Sequence, residues 1–340
     1  CHDSLVYVVC RSSRSLNPVD IWHGITEVPK DLTGSVVTIG VFDGMHRGHS
    51  RLLAAATTRA HELGLPSILL TFDPHPLAVL RPDRMPPLLG TVTQRASLAA
   101  AQGIDHILAM SFNVAVAQLS PEEFFLQIVR DTLKARAVVV GSNFTFGKKA
   151  AGTTEVLREL GHKYGIEVHV IDLLVEDDAV ICSTLIRRLL GEGKVREANA
   201  ALGREFSVAG EVVRGAGRGG QELGFPTANL YFSDLVALPQ DAVYAGWLMV
   251  ISQAPIDGDM KQGVRYPAAI SVGHNPTFGD KRRSVESYVI GKNADLYGHT
   301  VVVEFVDWVR SMEKFTGVPE LLAAIHQDVA ETLRILEVEK

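Results

Sequence analysis

Cysteine is nearly absent from this 340-residue chain: Cys1, Cys10 and Cys182 are its only three. Three thiols build no disulfide framework, and that scarcity fits a reducing, cytoplasmic compartment. Long apolar runs are missing too. None approaches the ~18 residues that cross a bilayer, which speaks against a membrane partner. An excess of positive charge is also lacking. A net charge of −6 leaves out the basic footprint that nucleic-acid binding needs. There is no internal repeat and no low-complexity tract. What remains is 46% hydrophobic and 21% charged residues, ordinary for a globular protein, in a length that suits about two domains. None of this reports oligomeric state, so a homo-oligomer stays open.

The first eighteen residues stand apart. Residues 5–10 are apolar but too short for a signal-peptide core, and Arg-Ser-Ser-Arg-Ser follows without a cleavage pattern. The chain also opens without Met. Residues 1–18 are therefore expected to be a disordered or non-native extension, with the fold opening near Val19-Asp20-Ile21-Trp22.

From residue 36 to about 172, strand-like and helix-like patterns alternate. Expected strands cover 36–42, 67–72, 104–111, 137–141 and 167–173; expected helices cover 50–63, 93–102, 121–134 and 153–164. This alternation predicts an α/β domain with a parallel, Rossmann-like sheet and helices on both faces. One helix start is well marked, with Ser120 as N-cap, Pro121 at the first position and Glu123 closing a capping box. After about 203 the grammar changes to short strands at 207–213, 244–251, 266–272, 284–290 and 300–308. These predict a small antiparallel β-barrel closed by a helix from 319 to about 336. A helical stretch, 183–202, bridges the two parts. The expected domains are thus 19–202 and 203–340.

Within the first domain, Val-Val-Thr-Ile-Gly-Val-Phe-Asp-Gly-Met-His-Arg-Gly-His (36–49) reads as a buried strand turning tightly into a helix. His46 and His49, three apart, share the first helical turn, where backbone N–H groups and the dipole favour an anion. Gly40, Gly44 and Gly48 clear space for a phosphate. The imidazoles would neutralise charge at a phosphorus centre as pyrophosphate leaves. An isolated His-x-x-His pair is more often structural, but the whole string at the end of a first strand resembles the His-x-Gly-His signature of nucleotidyltransferases. Zinc is a weaker alternative, because no Cys or acidic ligand is nearby and the spacing is not i, i+4. Ligands of such sheets sit beyond the carboxyl ends of the strands. Asp73-Pro74-His75-Pro76 and Asn143 are expected at that same rim.

Asn143 offers an amide to a phosphate or ribose. Phe144 and Phe146 could cover a flat ring, although aromatics mostly pack cores. Ser183 and Thr184 can cap the helix they open, their usual job, and Arg187, one turn on, could bind the same anion. Together these four segments, including Thr-Phe-Asp-Pro-His-Pro and Ile-Cys-Ser-Thr-Leu-Ile-Arg, resemble the adenylyltransferase module of prokaryotic bifunctional riboflavin kinase/FAD synthetases. The resemblance covers about residues 19–338. It implies that His46, His49, Asn143, Ser183, Thr184 and Arg187 handle the ATP phosphates, with Gly40, Phe42, Gly44 and Gly48 shaping that site. It further implies that Phe146 and Phe124 line the isoalloxazine pocket. Cys182 departs from the family's usual serine, and a thiol is a weaker hydrogen-bonding partner.

The second domain carries Gly210-Glu-Val-Val-Arg-Gly-Ala-Gly-Arg-Gly-Gly-Gln-Glu-Leu-Gly-Phe-Pro-Thr-Ala-Asn229. Arg214, Gly215, Gly217 and Arg218 belong to a loop that could wrap polyphosphate through backbone N–H groups, although mobile linkers share this composition. Thr227 and Asn229 place two neutral oxygens on one side of an extended segment, a donor set that suits Mg²⁺ shared with nucleotide phosphates. The stretch resembles the flavokinase Pro-Thr-Ala-Asn motif. A lone strand glutamate such as Glu286 faces solvent by default; the resemblance instead implies a general base toward the ribityl 5′-hydroxyl of riboflavin. It implies as well that Arg310 lies near the flavin, with Phe315 packing beside it. The expected enzyme converts riboflavin and ATP to FMN and ADP, then FMN and a second ATP to FAD and pyrophosphate. Two alternatives differ in class: one half could be an inactive flavin-binding regulatory module, or the chain could be a cytidylyltransferase or tRNA-charging enzyme sharing the His-x-Gly-His turn.

Overall fold

The computed structural model describes residues 21–215, 225–274 and 282–338; the expected extension at 1–18 lies outside them. The first compact unit runs up to Pro86 and resumes over Gly90–Cys182; the second comprises Pro87–Leu89 and the chain from Ser183 onward. Each is described separately.

In the first unit the chain runs through β1 (Ile21–Trp22), β2 (Ser35–Ile39), α1 (Arg47–Leu63), β3 (Ser67–Asp73), α2 (Pro76–Leu80) and α3 (Val92–Ala100). It continues through β4 (His106–Ser111), α4 (Val114–Gln118), α5 (Pro121–Phe124), β5 (Ala135–Gly141), α6 (Thr154–Tyr164) and β6 (Glu167–Ile171). A short hairpin, β7 (Val175–Glu176) and β8 (Ala179–Val180), ends it. The six main strands form one parallel sheet in the order β1-β4-β3-β2-β5-β6. Apolar residues occupy successive strand positions because both faces are covered. Val37, Ile39, Leu70 and Val138 face a core with Phe125, Ile128 and Leu157, whereas Val36, Leu69 and Val139 face one with Leu53, Ala56 and Ala99.

The doubly wound sheet is thus as expected, with local corrections. β2 stops at Ile39 rather than at 42, because Phe42 adopts a left-handed backbone (φ 53°) that no strand contains. α1 starts three residues earlier than the periodicity suggests, since His46 itself caps it. The Ser120 capping box is present, but the helix it opens is α only to Phe124 and continues as a π-helix over Phe125–Thr132.

The second unit contains α7 (Ser183–Gly191), α8 (Val195–Leu202), β9 (Phe206–Glu211), β10 (Thr227–Phe232), β11 (Ala242–Val250) and β12 (Asp257–Gly258). Then come β13 (Arg265–His274), β14 (Arg283–Val289), β15 (Ala294–Asp295), β16 (Thr300–Ser311) and α9 (Val318–Leu336). Six strands form an antiparallel sheet ordered β10-β14-β13-β11-β16-β9. An antiparallel bridge between Val213 and Asn229 joins its two ends, so the sheet curls into a nearly closed barrel and hides its edges. Alternation is strict along β13, where Tyr266, Ala268, Ile270 and Val272 are all buried.

Closure depends on a bend in β11. The register against β16 shifts between Ala245 and Gly246, and a Cβ at Gly246 would lie 2.0 Å from the Glu304 carbonyl oxygen. Only glycine lets the two backbones approach so closely. Gly246→Ala is therefore expected to destabilise the barrel by at least the ~1–3 kcal/mol typical of overpacking, seen as a lowered Tm in thermal denaturation. An unchanged Tm would refute the role given to this glycine.

Candidate active sites

In the first unit the strand order reverses at β2. From there the chain moves outward through β3 and β4, then returns to β5 on the other side. The carboxyl ends of β2 and β5 frame the crevice that such sheets use for ligands. The turn after β2 holds three left-handed residues in four: Phe42 (φ 53°), Gly44 (φ 82°) and Met45 (φ 41°). Left-handed backbone costs a non-glycine residue roughly 1–2 kcal/mol. Phe42 and Met45 are, however, almost fully buried, and burying such side chains returns about 1.5–3 kcal/mol each. Packing wins, and the turn is held in shape.

That turn delivers His46 to the N-cap of α1. Its Nδ1 accepts the His49 backbone N–H at 3.3 Å, so a neutral ring carries its proton on Nε2, as a donor. The two imidazoles stack with centroids 3.6 Å apart, and His49 leans on Phe42 at 5.0 Å. The pair that the sequence placed together is together, at a helix N-terminus that favours anions. A Cβ on Gly48 would lie 3.1 Å from both the His46 ring and the Ile181 carbonyl oxygen. Gly48 therefore lets the end of the β7–β8 segment lie against the first turn of α1. Arg47 makes a bidentate ion pair with Glu176 of β7, 2.5 Å at each contact. Both partners are about 40% exposed, so the pair positions the hairpin more than it stabilises the fold.

Asn143 follows β5, the strand paired beside β2, in an exposed turn at the same carboxyl rim. Phe124 and Phe146 are buried, with Phe146 stacked on Phe144 at 5.6 Å and tilted against Phe124 at 5.8 Å. Gly152 permits this, since a Cβ there would sit 2.6 Å from the Phe146 ring. Ser183, Thr184 and Arg187 open α7 in the second unit, where Arg187 Nε donates to the Pro87 carbonyl oxygen at 2.7 Å.

In the barrel, register assembles the second group. Asn229 of β10 lies directly opposite Glu286 of β14, and Glu286 opposite Ser271 of β13. Ser271 pairs with Val243 of β11, which pairs with Arg310 of β16. Directly paired residues project to the same face, and Thr227 and Tyr288, two positions along, share it. Asn229 is buried, and its Nδ2 donates to the Thr227 carbonyl oxygen at 2.9 Å. A Cβ on Gly215 would come within 2.8–3.0 Å of the Asn229 amide, so the glycine loop begins by packing on this amide. Arg214 lies 5.6 Å over the Tyr297 ring; Gly217 and Arg218 lie outside the described residues.

Contrary to the default for a strand glutamate, Glu286 is half-buried. Burial pushes its pKa above the usual carboxylate range, and the Ser284 hydroxyl, donating at 3.3 Å, pulls the other way. A neighbouring aromatic wall consists of Phe225 set edge-on to Tyr288 (5.0 Å) and to His326 of α9 (5.2 Å). Arg310 is bound to the buried Asp328 of α9 by two bonds of 2.7 and 2.8 Å, with Phe315 5.5 Å from its guanidinium. No cluster of three or more His, Cys, Asp or Glu able to hold a metal occurs among the described residues. Thr227 and Asn229, with neutral oxygens only, fit a hard cation that takes its remaining ligands from phosphate and water.

Two residues near the first crevice escape a reading of patterns. Arg95 of α3 is buried against the ends of β2 and β3, although an arginine in a helical pattern reads as solvent-facing. Glu176 sits in a two-residue strand too short to leave any periodicity.

An α/β unit with a histidine-capped turn at its switch point, and a barrel holding a recessed carboxylate beside an amide and a hydroxyl, suit a two-site nucleotide-dependent transferase. Comparison with known proteins agrees. A family model for FAD synthetase matches residues 28–185 and one for riboflavin kinase matches 202–336. A Bacillus subtilis bifunctional riboflavin kinase/FMN adenylyltransferase is 32% identical over 94% of this chain and 98% of its own length. An Escherichia coli protein of the same name is 29% identical over 90% and 93%. The crystal structure titled as a macrolide-efflux protein from Streptococcus pneumoniae superposes with a TM-score of 0.80 at 30% identity, covering 92% of this chain and 98% of that one.

The chain belongs to the bifunctional riboflavin kinase/FMN adenylyltransferase family. It is both a riboflavin kinase, making FMN from riboflavin and ATP, and an FAD synthetase, making FAD and pyrophosphate from FMN and ATP. Because the relatives that span both halves carry both activities in their names, an inactive half is not favoured. No described helix is long and apolar enough to cross a membrane.

The raised pKa of Glu286 has a definite sign in folding. A carboxyl whose folded pKa lies above its unfolded value favours the protonated native state, so its ionisation weakens folding as pH rises through the folded value. Glu286→Gln, which mimics the protonated form, should thus raise the Tm relative to wild type at pH 8 and lose that advantage near pH 4. Thermal melts at the two pH values check this; an advantage equal at both would contradict it.

Proposed function

We propose that the two activities are divided between residues 19–202, for adenylyl transfer, and residues 203–340, for phosphorylation. In support, the matched family models end at 185 and resume at 202. For the kinase, Glu286 orients and deprotonates the ribityl 5′-hydroxyl, which then attacks the γ-phosphorus in line. The observation that carries this assignment is the cross-strand pairing of Glu286 with Asn229: a base and a phosphate-side ligand stand one strand apart on one face. Thr227 and Asn229 would hold Mg²⁺, which supplies charge neutralisation at the β- and γ-phosphates. Desolvation raises the basicity of Glu286, useful to a base facing a poor acid. Arg214 and Gly215, with Gly217 and Arg218, embrace the nucleotide; Arg310 borders the flavin while its own charge is met by Asp328.

For adenylyl transfer, His46 and His49 neutralise charge as pyrophosphate leaves the α-phosphorus, His46 through its Nε2 proton. Asn143 contributes an amide from the same carboxyl rim. Gly40, Phe42, Gly44 and Gly48 keep the backbone close to the phosphates. Phe124 and Phe146 offer an apolar wall to the isoalloxazine ring. The parts given to Ser183, Thr184 and Arg187 rest on the family resemblance. Substrates drawn from ATP and flavin pools support a cytoplasmic setting.

Separability tests this division. Glu286→Ala should stop FMN formation, with a loss of about 10²–10⁴ in rate, yet still convert supplied FMN to FAD. His46→Ala should do the reverse and accumulate FMN. Chromatography of riboflavin, FMN and FAD after incubation with ATP and Mg²⁺ reads both reactions at once. A folded Glu286→Ala protein that makes FMN at the wild-type rate would remove Glu286 as base, and either variant silencing both reactions would end the division.

A further inference from the structure

Arg95 is 3% exposed, in a helix whose neighbouring buried positions are Ala96 and Ala99. Its Nη1 donates to the Val41 carbonyl oxygen (2.7 Å) and to Thr71 Oγ1 (2.8 Å), and Thr71 Oγ1 donates in turn to Val41 (2.9 Å). Its buried Nε meets no hydrogen-bond acceptor among the described residues. Desolvation lowers its pKa, and the charges of Asp43 and Asp73 oppose that shift. An aliphatic side chain would fill this place without a desolvation cost or an unsatisfied N–H. Such a broken local rule marks a residue kept for something other than stability.

The target of its bonds says what that is. Val41 lies between the end of β2 and the left-handed run Phe42–Met45. Thr71 lies in β3, the neighbouring strand. We propose that Arg95 is a positioning residue for adenylyl transfer: by tying the Val41 carbonyl to Thr71, it sets the angle at which the turn delivers His46 to the phosphates. Both bonds leave the single nitrogen Nη1, so a lysine ammonium, with three N–H donors on a flexible stem, could replace them only in part, without the planar guanidinium that fixes their direction. The inference rests on the reading of His46 and His49 given above.

The test measures both reactions of the full-length protein. Misplacing a reacting group by about 1 Å costs on the order of 10²-fold in rate. Arg95→Ala should therefore lower kcat for FMN adenylylation about 10²-fold while KM for FMN and ATP moves less than about threefold, with riboflavin phosphorylation unchanged. Arg95→Lys should recover part of the lost kcat. Thr71→Val, which keeps volume and removes one acceptor, should lower kcat about tenfold. Unchanged kcat in a cooperatively melting Arg95→Ala protein would overturn the proposal, as would a loss confined to KM or a lysine variant no better than alanine. Where both Arg95 variants fail to fold, Thr71→Val decides, and a wild-type kcat there refutes the positioning role. His46→Ala is assayed in parallel. Retained FAD synthesis in that variant would overturn the site reading itself, whereas its loss alongside an active Arg95→Ala protein would overturn the positioning role alone.

Discussion

Where a buried parallel strand ends, the backbone loses its ladder partners while still surrounded by apolar side chains. Each orphaned carbonyl there must find a donor or cost free energy. In this chain the problem falls on Val41, and two donors from Thr71 and Arg95 answer it. The turn beyond it can then adopt three left-handed residues, bury Phe42 and Met45, and place His46 where it caps α1. Each later step depends on the one before. Loosened at Val41, the turn would keep the packing of Phe42 and Met45 but lose the anchor that sets its angle to β3, and with it the placement of the imidazole pair.

The barrel solves the same question of placement by register instead of strain. Pairing of β10, β14 and β13 puts Asn229, Glu286 and Ser271 in one row. A slip of one residue would turn Glu286 to the opposite face. The buried residues Ala228, Leu230, Val285 and Ser287 make that slip costly, because every one of them would leave the interior. Core packing thus fixes the placement of Glu286 beside Asn229 through a period of two. A half-buried carboxylate is the result, more basic than a surface one.

Much of this was legible in the residues. Alternating strand and helix patterns announce the parallel sheet, and the glycine–histidine string marks a tight turn from strand into helix, where the structure has one. Legibility fails where the deciding physics is nonlocal. The two-residue strand Ile21–Trp22 exists only through its pairing with β4. The π-helix over Phe125–Thr132 leaves no mark in a 3.6-residue pattern. Arg95 looks like any solvent-facing helical arginine until β2 and β3 are laid beside it. The burial of Glu286 is equally invisible, since a strand glutamate among small residues has no local reason to be recessed.

Arg310 and Asp328 belong to elements far apart in their environments: one ends the longest strand of the barrel, the other sits in the middle of α9. Their two short bonds are shielded, with Asp328 only 6% exposed. Along the growing polypeptide, the arginine is made first and stays uncompensated until the helix bearing its counter-charge has been made and docked. β16 and α9 are therefore joined by charge as well as by packing. Without α9, a guanidinium now met by a carboxylate would be met by water, so the charge state of the strand end reports whether the helix is in place.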